Sequence, residues 1–344
     1  MLPSMGDWVL VLLALLVSGG LCWRFLSPAS WFHVLDHPGG RSLHQQALPR
    51  SGGVAIVTAI LLTWGVAAAV GKLSWGGGLA WLFTGAVLLA VIGGIDDRRD
   101  LSPLVRLLVQ SLAALALLVA GLLPVSLQLP GMDIPLPEVV VVLLMLLYVL
   151  WMTNLYNFMD GMDGFAGGMA VIGFSIMAWL GWRGGDEGFM LASLIVAAAS
   201  AGFLAFNFPP ARLFMGDAGA PVLGFLAAAF SLWADRDGLF PLWVAVLVFS
   251  PFVVDASYTL LRRLLAGKKI WQAHREHLYQ RLVQTGWLHR RTVLWSYVLM
   301  LAAGGTAVMA LNQNTFVQWA IMLFWCVAYG IIMLLVSLRE QRNG

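Results

Sequence analysis

The sequence predicts an all-α polytopic membrane protein of about eleven transmembrane helices, with its amino terminus outside and its carboxyl terminus in the cytoplasm. Three observations predict it. Of 344 residues, 60% are hydrophobic and only 11% are charged, outside the range of soluble domains. Apolar runs recur along the whole chain, each near the roughly 20 residues a helix needs to cross the hydrocarbon. The basic residues fall almost entirely in alternate connections between those runs.

The runs lie at about 8–27, 52–71, 79–95, 104–123, 138–153, 165–182, 189–206, 218–234, 240–260, 292–312 and 316–338. The first is read as a true span, because residues 1–7 carry no Lys or Arg and Asp7 stands where a cleavable signal would be basic. Cys22 and Cys326 fall inside runs and read as small packing residues rather than a disulfide framework. Connections after the odd-numbered runs, with the adjoining run ends, hold fifteen Lys and Arg; the other connections hold three, Lys72, Arg183 and Arg236. That bias places the first set in the cytoplasm. All six His and the acids Asp36, Asp96, Asp97, Asp100, Asp160, Asp163, Asp217 and Glu276 share that side. A carboxylate at the bilayer centre costs roughly 2.5–3.5 kcal/mol; gathered at one interface, these groups avoid that cost and form one polar site. The chain reads as a single integral membrane domain, 1–344, with a basic segment at 262–291 whose apolar residues at helical spacing predict an interfacial amphipathic helix.

Taken in order, five stretches carry chemistry. The loop 36–53 is rich in Pro, Gly and basic residues; Arg41, His44 and Arg50 suit phosphate oxygens, although basic residues flanking a span also follow from topology alone. The third run ends in adjacent Asp96 and Asp97, which point to different helix faces, so that one reaches a metal or phosphate while Arg98 or Arg99 holds the other. At 154–168, Asn154, Asn157, Asp160 and Asp163 recur every third residue, which in helical backbone aligns two amides and two carboxylates; turn chemistry is the plain alternative. At 207–225, Pro209 and Pro210 stop one helix and Asp217 precedes the next, a position that favours anions and a bound cation and equally a simple cap. Asp255 lies at depth in the ninth run and stays without an assigned role, and His274 and His277 alone do not make a zinc site.

Together these stretches resemble the signature of the polyprenyl-phosphate N-acetylhexosamine-1-phosphate transferase superfamily, membrane enzymes of the WecA and MraY type, over residues 36–281. The resemblance rests on Asp36, Pro38, Arg41, His44 and Gly52–Gly53; on Asp96–Asp97; on 154–168; on Asn207, Pro209, Phe214, Gly216, Asp217 and Gly219; and on His274 and His277. It implies paired Asp96 and Asp97 at the acceptor phosphate, orienting or deprotonating it. It implies Asp217 as a magnesium ligand, with the Asn157 amide oxygen as a second, and Phe214 against the uracil. Asn154, Asp160 and Asp163 would contact the nucleoside, Asn207 the substrate, Arg41, His44 and Arg50 phosphate oxygens, and His274 and His277 the nucleotide-sugar phosphates. Gly39–Gly40 replaces the usual Asn of the first loop, Ala220 stands where Ser is commoner, and the His-x-x-His form disfavours a muramoyl-pentapeptide donor.

The implied reaction moves a sugar 1-phosphate from a UDP-N-acetylhexosamine to undecaprenyl phosphate, releasing UMP and initiating a lipid-linked envelope glycan such as O-antigen. Mg2+ is the implied cofactor, with Mn2+ as a substitute, and the implied place is the bacterial inner membrane with the site facing the cytoplasm. Membrane lipids are expected partners and nucleic acid is not. The transferred sugar and a homodimer stay open. A transporter would place acids deep in both halves of the chain, and the Asp-Gly and Ala-Arg motif of a CDP-alcohol phosphotransferase is not found around 160–168.

Overall fold

The computed structural model describes residues 3–36, 47–76, 78–124, 126–269 and 274–343. Helix α1 (Met5–Phe25) opens on a reciprocal cap between Ser4 and Asp7. The short strands β1 (Leu35–Asp36) and β2 (Leu48–Pro49) pair antiparallel, Leu35 opposite Pro49, and bring Asp36 to Arg50. Then follow α2 (Gly52–Ala69), α3 (Gly78–Arg99) and α4 (Pro103–Val119), the last capped by Ser102 with Pro103 in its first turn. A hairpin of β3 (Leu127–Leu129) and β4 (Met132–Ile134) leads to α5 (Glu138–Met159). Helices α6 (Phe165–Gly184), α7 (Glu187–Asn207) and α8 (Ala220–Arg236) come next. The rest is α9 (Leu242–Val248), α10 (Ser250–Leu265), α11 (Leu278–Gln284), α12 (His289–Ala310) and α13 (Thr315–Asn343).

The protein is thus an all-α polytopic membrane protein, with a helix on each of the eleven apolar runs. Among the described residues, eight helices are long and apolar enough to span by themselves, and α9 with α10 makes a ninth, bent by 81°. The bend falls at Phe249–Pro251, where proline lacks the N–H that would continue the ladder. Helices α4 and α8 are 17 residues each. The layering explains α8. Every residue from Ala220 to Leu232 is buried, because α8 runs through the middle of the bundle against α3, α5, α6, α7 and α9. Helix α13 stands at the margin with 17% of its apolar window buried, as a helix facing lipid does.

Two expectations change. The polar run at 154–168 is neither one aligned helical face nor all turn: α5 continues through Asn154 and Asn157 to Met159, where the Asn154 amide donates to the Leu150 carbonyl within the helix and to Gln110 on α4, and only Asp160 to Gly164 form the connection to α6. The basic segment 262–291 is not one amphipathic helix. It holds the end of α10, the buried start of α11 and the first turn of α12, separated by Gly267 (φ 67°) and Gly286 (φ 91°), whose left-handed backbone ends a helix.

Candidate active site

Carboxylates converge where α3 and α5 end and α6 and α8 begin. Asp96 and Asp97, both buried on the last turn of α3, diverge as helix geometry requires. Asp97 turns to the loop before α8 and accepts the backbone N–H of Asp217 (3.1 Å) and of Ala218 (3.2 Å). Its oxygen lies 3.5 Å from Arg50 Nε, and the same guanidinium donates to the Asp97 carbonyl and sits 3.7 Å from Asp36. Asp96 faces the other way. It accepts the N–H of Leu101 at 2.6 Å and Nη1 of Arg106 at 3.0 Å.

The loop carrying Asp217 is pressed onto α3 and α2. A Cβ on Gly93 would collide with the Asp217 carbonyl, so glycine is required there. Phe214 N–H donates to Pro49, while Gly52 and Gly53 donate to the carbonyls of Phe214 and Met215. On its other flank the loop is tied to the α5–α6 connection. Asp163 accepts the Ala211 N–H at 2.9 Å, and buried Asn207 accepts the Gly164 N–H at 2.8 Å while donating to the Leu213 carbonyl at 2.9 Å. Asp160, at the end of α5, is drawn into the same cluster. Burial, then the charges of Asp217 and Asp97, hold its carboxyl well above the usual carboxylate range. Burial and then Asp96 push Asp217 up to about 6. Among the described residues, Arg50 and Arg106 are the cations this cluster touches. Buried acids that raise one another are charge-frustrated until a cation joins them.

From this cluster a groove of about 440 Å³ leads out between α3, α4, α5 and α10. Its polar end holds Asp96, Arg106, Asn154, Asn157 and Asp217; its walls are apolar, with Leu89, Leu107, Leu147 and Trp151 among them. Gln110 and Asn154 exchange amide hydrogen bonds of 3.3 and 2.7 Å across it. The Asn157 side chain has no hydrogen-bond partner among the described residues.

The histidine loop sits beside the cluster rather than in it. Asp255, buried on α10, accepts the backbone N–H of Leu278 (2.9 Å) and Tyr279 (3.3 Å), the Thr259 hydroxyl (3.2 Å), and lies 3.3 Å from His277 Nδ1. This is the role the sequence left open: Asp255 caps α11. His277 stacks on Phe158, a groove residue, with ring centroids 6.1 Å apart, and the Tyr279 hydroxyl donates to the Phe158 carbonyl. His274 packs on His277; burial, then the charges of His277 and Arg263, lower its pKa to about 4.

Of the residues singled out in the sequence, Arg50, Asp96, Asp97, Asp160, Asp163 and Asp217 come together, and Asn154 and Asn157 line the groove beside them. Asn207 is buried with both ends of its amide bonded to backbone. Phe214 is half-buried on the Asp217 loop. Arg41 and His44 lie outside the described residues. Sequence reading missed Arg106 and Gln110 as groove residues. Their signal was a basic and an amide side chain four residues apart, hence on one face, in a helix that is apolar elsewhere but for Ser111. Among the described residues no three His, Cys, Asp or Glu form a metal cage. Magnesium needs none, since it commonly takes one or two carboxylates and completes its shell with water and substrate phosphates.

Residues 79–235, which run from α3 through α8 and include every carboxylate of the cluster, match the model of glycosyl transferase family 4. A decaprenyl-phosphate N-acetylglucosaminephosphotransferase of Mycolicibacterium smegmatis (strain ATCC 700084 / mc(2)155) is 32% identical over 90% of this chain and 83% of its own. The chain belongs to glycosyl transferase family 4. A probable undecaprenyl-phosphate N-acetylglucosaminyl 1-phosphate transferase of Bacillus subtilis (strain 168) is 28% identical over 90% of this chain and 86% of its own length. A phospho-N-acetylmuramoyl-pentapeptide-transferase of Synechococcus sp. (strain RCC307) is 32% identical over 85% and 87%. Family membership thus spans both branches, and overall identity alone does not separate them.

Proposed function

We propose that this family 4 transferase moves an N-acetylhexosamine 1-phosphate from a UDP-sugar to undecaprenyl phosphate and releases UMP. The reaction would start a lipid-linked envelope glycan, such as O-antigen, at the cytoplasmic face of a bacterial inner membrane. The observation that carries this reading is the groove itself: carboxylates and an arginine at one end, an apolar wall leading away along α4 and α5. That is the shape of a headgroup site continuous with an acyl or prenyl chain site. A transporter would hold its acids near the midplane of both halves, whereas these gather at helix ends.

In this reading the acceptor phosphate enters at Arg106, with Asp96 on the groove side to orient it. An acceptor oxygen forms a bond to the sugar-linked phosphorus, and the bond from that phosphorus to the UMP oxygen breaks. A phosphate monoester is already largely deprotonated near neutrality, its second pKa being about 6, so Asp96 need only accept a residual proton. Asp97 stands behind, holding the Asp217 backbone. Asp217 and the Asn157 amide oxygen would hold Mg2+ or Mn2+, which would neutralise charge building on the UMP oxygen as it leaves. The Arg50 guanidinium, held between Asp97 and Asp36, would also meet a donor phosphate. Phe214, Asp160 and Asp163 would face the nucleoside, His274 and His277 the donor phosphates from the α11 side. Asn207 acts by clamping the two loops.

The test is exchange of radiolabelled UMP into UDP-N-acetylhexosamines by the purified protein with undecaprenyl phosphate and Mg2+. Asp217→Asn is expected to lower exchange by at least about 100-fold. Full exchange in that variant refutes the ligand assignment, and no exchange by the wild type with any such donor refutes the reaction.

A further inference from the structure

A second cavity, of about 910 Å³, opens between α12 and α13 and shares no residue with the groove. Its apolar length is walled by residues such as Trp295, Leu299, Ala302, Ile332 and Leu335. The α12 side runs from Thr292 to Ala302, about 15 Å at helical rise, which is one leaflet of a hydrocarbon core about 30 Å thick. Only one end is charged. Arg339 and Arg342 line it, and Arg291 and Arg339 both lie over the Trp287 ring, at 4.3 and 5.7 Å. None of these three arginines has an acidic partner among the described residues, since nearby Glu340 is taken by Arg281 at 2.6 and 2.5 Å. The Trp287 indole N–H, buried at the same end, has no acceptor among the described residues.

We propose that this cavity binds an anionic glycerophospholipid of the surrounding membrane. Its acyl chains fill the apolar length between α12 and α13, and its phosphate accepts from the arginines and the Trp287 N–H. Charge selects the occupant: a zwitterionic lipid would bring its own cation to a cluster of unpaired guanidinium groups, whereas an anionic headgroup neutralises them. Hydrophobic length selects it too, because a soluble phosphate compound would leave some 15 Å of apolar wall unfilled. The bound lipid also touches the catalytic half. Leu282 of α11 lines the cavity, Arg281 of α11 is clamped to Glu340 and Ser337 of α13, and α11 begins at His277, stacked on Phe158 of the groove. An occupied cavity therefore steadies the helix that presents the histidine loop.

The test uses the full-length protein taken from nanodiscs of phosphatidylcholine and phosphatidylglycerol, seven to three, with retained lipid counted by native mass spectrometry. The wild type is expected to retain phosphatidylglycerol over phosphatidylcholine by at least about tenfold beyond their ratio in the disc. Arg339→Gln with Arg342→Gln should bring that preference to parity, while the double Lys variant keeps most of it. Ala302→Phe, which fills the apolar end with all arginines intact, should lower retention of both lipids. Equal retention by the wild type, an undiminished preference in the double Gln variant, or a lipid-free dimer closed over this face would overturn the proposal. The lipid count needs no sugar transfer, so it stands or falls apart from the proposed reaction.

Discussion

Asp97 and Asp255 solve the same local problem in two parts of the molecule with different neighbours. Each is a buried carboxylate on an apolar helix, Asp97 on the last turn of α3 and Asp255 on the second turn of α10, and each accepts two successive backbone N–H groups from the start of another segment, Asp217 and Ala218 in one case, Leu278 and Tyr279 in the other. Asp255 completes its shell with a hydroxyl and an imidazole, so its charge is answered locally. Asp97 has one loose arginine contact and faces a cluster in which Asp160 and Asp217 also carry acid. A carboxylate among donors is architecture; a carboxylate among carboxylates stores unfavourable charge that a substrate-borne cation relieves. The α11 cap therefore reads as positioning, and the α3–α8 junction as chemistry.

The comparison breaks most visibly at Asp97. Replacing it by Ala removes both acceptors for the Asp217 loop and displaces that side chain, so UMP exchange should fall about 100-fold. Stability should hardly change, because lost hydrogen bonds are offset by relief of like-charge repulsion; a thermal melt on the same sample checks this. A large drop in melting temperature with little change in exchange would make Asp97 merely structural. Asp255→Ala should show the reverse balance. With no repulsion to relieve and two backbone N–H groups left unpaired in the interior, it should cost about 3 kcal/mol of stability, while exchange falls only about tenfold through a loosened histidine loop.

The smallest effect concerns pH and sharpens the assignment of the histidine loop. His274 is held neutral, its folded pKa near 4 against an ordinary value of 6.5, by burial and then by His277 and Arg263. Because the folded pKa is depressed, the unfolded chain binds the extra proton first. Stability contributed by this residue is present above pH 6.5 and is lost as pH falls toward 4. His274→Gln should flatten the decline of melting temperature between those values and leave the exchange–pH profile above pH 6 unchanged in shape. Loss from the variant's profile of an inflection that the wild type shows near neutrality would show that His274 titrates in the working range.

Much of this was legible in one dimension. Apolar runs of spanning length located every long helix, since lipid and a buried core both demand apolar side chains, and the partition of acids and bases told which helix ends share a side. Asp96, Asp97, Asp160, Asp163 and Asp217 were visible because a charged group beside an apolar span is expensive and rarely accidental.

What the sequence determined by itself was therefore composition against environment: which stretches leave water, and which polar groups stay near an interface. Only the tertiary structure decided direction. Asp96 and Asp97 are neighbours with the same chemistry, yet about 100° of helix rotation sends one to the groove and Arg106 and the other to a backbone loop. Asn207 looked like a substrate contact and Asp255 had no assigned role, yet both became clamps, and Arg106 looked like a topology signal and became part of the groove. Hydrophobicity is a property each residue carries along the chain, whereas a hydrogen bond or an ion pair depends on what arrives from elsewhere, and that is fixed only when the helices pack.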